Sequence, residues 1–346
     1  MRITPRAWIL GMLCCVAGCH AATPRALPPS EISGQIRRLS GRLELEFTGL
    51  SFWRGKLYAG TNIGLLEIQE DAPVALYQRH DDYNVVEGPW IDQGGSTLWL
   101  WEYPSLRLLN WNATDWVVSD LPRKEHGVYT RGDVLSGFRA CSSRSQFWLE
   151  GGGAAWLWDR PTQTWIPQPL PTGGGALLAP VGERLFAVTR GRRPSESDSR
   201  SLEVHALDGT RWERVADVPW EERIETVVGT ATSGYLLTAK GTVVRFDRRG
   251  LHPVTQPGPC EALVRTTDGH LLASVTNKGI FEVQDGTWKI RCAYPYGPNE
   301  GKHSAFLAED GGRIAFATKS SSRGIGTTAI WILQGDSLRK ISLEVE

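Results

Sequence analysis

"GKLYAGTNIGLLEIQ" (residues 55–69) is two short apolar runs around a Thr-Asn-x-Gly turn, the pattern of a β-hairpin. The same order returns in "GHLLASVTNKGIFEVQDGTWKI" (269–290), which adds an Asp-Gly turn and a further strand begun by Trp288. "CEALVRTTD" (260–268) precedes it with a strand entering a tight turn, so the unit has four strands. Looser copies occupy 89–118, 137–167, 226–254, 176–215 and 304–341, the last two interrupted by insertions. Aligning the residue that opens each third strand places the units at Gly64, Ser105, Gly153, Ser201, Gly241, Gly279 and Thr327, 38 to 48 residues apart.

Seven four-stranded units of this period predict an all-β fold, a seven-bladed β-propeller of antiparallel blades over residues 35–346. Each small sheet buries its faces only against the next blade. A helical solenoid would need amphipathic runs at 3.6 spacing, and none of useful length is present. Trp99, Trp101, Trp111, Trp148, Trp156, Trp158, Trp212, Trp288 and Trp331 fall at strand positions and are expected to fill the space between blades. Residues 35–47 are a candidate extra strand beside 338–345, tying the ring shut.

The repeat "KLYAGTNIGLLEIQ" (56–69) resembles that of the two-component-regulator propellers, whose blades read roughly Leu-Trp-hydrophobic-Gly-Thr, turn, Gly-Leu-x-Arg-Phe-Asp. Residues 238–247 and 272–285 match in part, and the other blades only in strand pattern. That family forms extracytoplasmic sensor modules, so the resemblance implies the propeller fold and a ligand-binding role, with no transferable catalytic residue. Neither a membrane helix nor a kinase follows up to Glu346, so signalling through its own chain is not expected. Sialidase-type Asp boxes are not matched, because "DGTRW" (208–212) and "DGTW" (285–288) lack the leading Ser. The WD-repeat and kelch signatures are also missing.

The amino terminus is a different object. Arg2 and Arg6 precede the apolar run "AWILGMLCCV" (7–16), which has the length of a signal peptide rather than a membrane span. Its end, "VAGC" (16–19), resembles the bacterial lipobox, which implies a signal peptide over 1–18, acylation of Cys19 and a lipid-held chain. A general secretory signal cut near "HAA" (20–22) would still export the protein. His20, where an Asp would retain an enteric lipoprotein in the inner membrane, favours the outer membrane of the cell envelope. Residues 19–34, rich in Pro, Ser and small side chains, read as a tether.

Lys and Arg number 38 and Asp and Glu 38, so bulk electrostatics gives no reason to expect nucleic acid. With Cys19 lipidated, Cys141, Cys260 and Cys292 remain, an odd count. The repeat puts Cys260 and Cys292 on the first and last strands of one blade, beyond bonding reach unless a loop end folds back. No CxxC or CxxxH spacing is present, so neither a metal nor another cofactor is expected.

Connections joining strands one to two and three to four share one rim, and those joining two to three and blade to blade share the other. The first set is tight, as in "TDGH" (267–270), "EDGG" (309–312) and "QDG" (284–286). The second holds the excess length: "RKEHGVYTRGD" (123–133), "RGRRPSESDSR" (190–200), "YPYGPNEGKH" (294–303) and "KSSSRGIG" (319–326). Function concentrates on loops carried by a rigid scaffold, so this second rim is the candidate binding face. Its candidate residues are Arg190, Arg192, Arg193, Arg223, Tyr294, Tyr296, Lys302, His303, Lys319 and Arg323. Tyrosines supply adaptable aromatic contact, and a convergent arginine set holds a carboxylate or an anionic glycan unless the acids nearby already pair it. The expected partner is an envelope or extracellular protein, or such a glycan, with the membrane engaged through the N-terminal lipid. The competing expectation is a carbohydrate-active hydrolase or lyase using the central funnel of this rim, with His80 beside Asp81 and Asp82, or His303 near Glu300, as its polar groups.

Overall fold

The computed structural model describes residues 47–61, 64–69, 73–78, 85–94, 97–103, 107–120, 138–143, 145–171, 175–190, 201–220, 222–284, 286–295, 302–320 and 329–342. They form seven antiparallel sheets of four consecutive strands, spanning 47–78, 85–120, 138–168, 176–219, 224–253, 260–293 and 302–342. The protein is a seven-bladed β-propeller. The third strands open at Gly64, Arg107, Ala154, Ser201, Val243, Gly279 and Ala329, never more than two residues from the positions expected.

The first strand of each blade is innermost, and each packs on the first strand of the next. Phe47–Trp53 receives Lys302–Asp310, so the ring returns on itself without exchanging a strand. The proposed closing strand over 35–47 lies outside the described residues except for Phe47, which begins blade one. Inner strands approach closely enough to need glycine. A Cβ on Gly229 would lie 1.7 Å from the Pro180 carbonyl oxygen of the neighbouring blade. At the repeated turn Asn277 has φ 59° and Gly279 φ 145°, and a Cβ on Gly279 would meet the Cys292 carbonyl oxygen at 2.1 Å.

The apolar side chains divide into seven buried clusters among the described residues, one between each pair of neighbouring blades. Strand alternation explains this, since each sheet sends successive side chains to opposite faces and both faces are covered. Trp99, Trp101, Phe138, Phe147 and Trp156 fill the space between blades two and three, with Trp99 stacked on Phe147 at 5.6 Å. Trp148 is buried between blades three and four. The tryptophans expected to pack between blades therefore do so here. The closing interface uses smaller residues, Ala308, Ala315 and Ala317 against Leu50, Leu57 and Leu66. Arg313 lies over the Phe52 ring, 4.8 Å from its centre.

Cys260 and Cys292 are unbridged, on the first and fourth strands of blade six. Burial raises both thiols, that of Cys260 to about 12, which suits packing rather than reactivity.

The tight-turn rim is fastened turn to turn. The Gly182 amide donates to the Thr230 carbonyl (2.9 Å), the Ala231 amide to the Gly269 carbonyl (3.1 Å) and the Thr267 amide to Glu309 Oε2 (2.6 Å). Ser145 Oγ donates to Glu183 Oε2 at 3.3 Å. Arg160, in the last turn of blade three, donates to both carboxylate oxygens of the fully buried Asp92 in blade two, at 3.0 and 2.5 Å, and to the Ser145 carbonyl at 2.6 Å. These contacts join blades two through seven in sequence.

Candidate functional site

On the opposite rim, strand ends deliver several of the expected residues. Arg190 closes the second strand of blade four and pairs in register with Leu202. Lys302 and His303 open the first strand of blade seven, and Lys319 is the cross-strand partner of His303, so the three meet at one end of that sheet. Cys19, Arg192, Arg193, Tyr296 and Arg323 lie outside the described residues.

Arg223 stands just before the first strand of blade five and is exposed. Its Nε donates to Glu225 Oε1 at 2.8 Å, and its Nη2 contacts the same oxygen. The ion pairing allowed for in the sequence is therefore present at this arginine. Tyr294 is half-buried, its hydroxyl 2.7 Å from Ser274 Oγ and its ring 5.6 Å from that of Phe316.

Between blades three, four and five the same rim holds a recess of about 610 Å³. Arg139, Glu150, Thr189, Arg223 and Glu225 line it, with the turn at Gly152 and Gly153 along one side. Strand register explains the first pair. Arg139 on the first strand of blade three lies directly opposite Glu150 on the second, so both side chains leave the sheet on one face. Glu150 is buried, and desolvation pushes its carboxyl up to about 8 despite the Arg139 charge and a hydrogen bond from the Leu178 amide. Its Oε2 has no hydrogen-bond partner, nor does the hydroxyl of Thr189, which is 1% exposed. Near the ends of second strands elsewhere such hydroxyls are used by the next turn. Thr61 Oγ1 donates to the Gly64 carbonyl, and Thr238 Oγ1 accepts the Thr242 amide.

The axial channel, about 820 Å³, is lined by the inner strands of all seven blades and extends to the tight-turn rim at Arg54, Gln93 and Thr267. Among the described residues no histidine lines the channel or the recess; His80, Asp81, Asp82 and Glu300 lie outside the described residues. His205, His252 and His270 each face one carboxylate at 3.0 Å, and no cluster of three or more metal-ligating side chains occurs among the described residues. No described helix is long and apolar enough to cross a membrane.

Sequence reasoning missed Arg139, Glu150 and Thr189. The available signal was Glu150 itself, an acid in the apolar second strand "FWLEG" just before three glycines.

No protein-family model matches the chain, and no curated protein matches it in sequence. Its likeness to solved structures is one of fold. A catalytically inactive virginiamycin B lyase from Staphylococcus aureus, with quinupristin, superposes with a TM-score of 0.56 at 12% identity over 79% of this chain and 92% of that one. The β-propeller domain of the Trilobed protease from Pyrococcus furiosus, which has an open velcro topology, gives 0.56 at 9% identity over 87% and 98%. YCF48 bound to D1 peptide gives 0.52 at 14% identity over 79% and 88%. The propeller ring in these structures thus accompanies both catalysis and peptide binding, and fold alone assigns neither here.

Proposed function

We propose that this chain is an exported binding module, held to a membrane by a lipid on Cys19, whose loop-rich rim engages an envelope or extracellular protein. The observation that carries this reading is the unequal use of the two rims. Turn-to-turn bonds run from blade two through blade seven on one rim, whereas the long connections and the recess belong to the other, where the Cys260 amide to Gly241 carbonyl bond (2.8 Å) joins blades five and six. The resemblance of residues 56–69 to sensor-propeller repeats supports recognition rather than turnover, and His20 favours the outer membrane.

Two experiments test the two halves of this reading. Labelling cells with radioactive palmitate marks the wild-type chain, and Cys19→Ser loses the label and leaves the membrane fraction; a Cys19→Ser chain that keeps both would remove the anchor. For the rim, the full chain is used to capture proteins from envelope extract. A variant with Arg190, Arg192, Arg193, Lys319 and Arg323 changed to Ala retains the captured protein about tenfold less well, as expected for several lost charge-assisted contacts. Equal retention would contradict a charged binding face.

A further inference from the structure

The recess between blades three, four and five has features that a protein-docking rim does not require. Two of its polar atoms, Glu150 Oε2 and Thr189 Oγ1, are buried and unpartnered, although a group left so costs about 1–3 kcal/mol in a folded protein. Buried polar groups are ordinarily satisfied, so two such atoms on residues that line one cavity mark a place where a partner is supplied from outside. Its volume of about 610 Å³ lies within the range of small-molecule sites.

We propose that this recess binds a hydroxylated carboxylate of the uronic acid type, with Arg139 pairing its carboxylate and Glu150 and Thr189 bonding its hydroxyls. The proposal goes beyond the rim partner above, and the site fills or stays empty whether or not that partner exists.

Charge selects the anion. Arg223 is neutralised by Glu225, whereas Arg139 makes no ion pair within 4 Å among the described residues; its charge acts on the carboxyls of Glu150 and Glu87, both of which burial pushes upward. Burial keeps the Glu150 carboxyl protonated at neutral pH, so it does not cancel Arg139. A protonated carboxyl and a threonine hydroxyl each both donate and accept, which matches the hydroxyls of a sugar rather than a second anionic group. Arginine presents its donors as a planar fork that fits a carboxylate. Among the described residues, a Cβ added to Gly153 or Gly175 at the mouth would meet no atom within 4 Å.

The test is calorimetric titration of the full chain with galacturonate, with galactose as the neutral counterpart and digalacturonate as a fragment of an acidic glycan. The expected result is one galacturonate per chain, held about tenfold or more tighter than galactose, the discrimination of one well-made charged hydrogen-bond pair. Arg139→Gln and Thr189→Val weaken it, and Glu150→Gln, which keeps a donor and an acceptor, preserves it within about threefold while Glu150→Ala does not. Gly175→Trp leaves the fold intact and blocks entry. Tighter binding of digalacturonate identifies the end of a glycan as the source, and equal binding identifies the free acid. No heat with galacturonate, equal affinity for galactose, or binding unchanged in both Arg139→Gln and Gly175→Trp would overturn the proposal.

Discussion

Replacing Arg160 with Ala lowers the unfolding free energy by about 3–5 kcal/mol, the cost of leaving a buried charge without its partner. Asp92 is completely buried at the end of the innermost strand of blade two, and both of its carboxylate oxygens accept from Arg160. The guanidinium is itself anchored on the Ser145 carbonyl, so the pair bridges blades two and three at their turns. The Asp92 hydrogen bonds hold Arg160 in its charged form and raise its pKa. Equilibrium denaturation followed by tryptophan fluorescence reads the loss directly. The double variant Asp92→Leu/Arg160→Met recovers most of it, because apolar side chains of similar volume replace a buried pair at little net cost. A loss below about 1 kcal/mol for Arg160→Ala would show that the pair behaves as an exposed one.

Stability is expected to fall as pH rises from about 4.5 to about 8, and Glu150→Gln removes most of that slope. Burial lifts the Glu150 carboxyl from 4.5 to about 8 in the folded chain. Below the lower value both states are protonated and the group is neutral to stability. Between the two values only the unfolded chain gives up the proton, so the unfolded state binds fewer protons and unfolding becomes easier as pH rises. Each unit of difference is worth about 1.4 kcal/mol, which makes the whole window worth on the order of 5 kcal/mol. The groups facing Glu150 are Arg139 across the strand pair, the Cys141 thiol, which burial and the Glu150 charge push upward, and Arg223 with Glu225 across the recess. Glu87 is also raised by burial and adds slope of the same sign, so the quantity to read is the difference between wild type and variant. Glu67, Asp247, Asp268 and Glu282 are lowered, Asp268 chiefly by its hydrogen bond from Thr266 and Glu282 by its hydrogen bond with His270, and they act at lower pH with the opposite sign. Parallel stability curves for wild type and Glu150→Gln from pH 5 to 8 would contradict a protonated Glu150.

Much of the fold was legible because a propeller repeats its grammar. Thr61-Asn62-x-Gly64 and Thr276-Asn277-x-Gly279 repeat one sequence pattern; glycine is needed at its end because the backbone there adopts a positive φ at both Gly64 and Gly279 and, at Gly279, passes close to the Cys292 carbonyl. With that anchor, even the degenerate blades could be phased to within two residues of their third strands. The division between tight and long connections was equally plain, since loop length is written directly in the chain.

The recess was not legible for a physical reason. Arg139 and Glu150 are brought opposite each other by strand register, and Thr189 arrives from the next blade. No spacing in a single chain reports which residues of separate blades share a cavity. The buried Asp92–Arg160 pair was hidden in the same way, since 68 residues separate two side chains that meet across an interface. Tyr294 shows the converse. A tyrosine beside a long loop reads as an adaptable surface contact, yet its ring packs on Phe316 of the neighbouring blade.

Capture with two variants of the full chain separates recognition at the loop-rich rim from fastening at the tight-turn rim. One carries alanine at Arg190, Arg192, Arg193, Lys319 and Arg323 on the loop-rich rim. The other carries alanine at Arg54, Arg211, Arg248 and Arg249, which lie at tight turns and are exposed. The account predicts that a protein retained by the wild type from envelope extract is lost from the first variant and kept by the second. Loss from the second with retention by the first would place recognition on the wrong face of the ring and contradict the account.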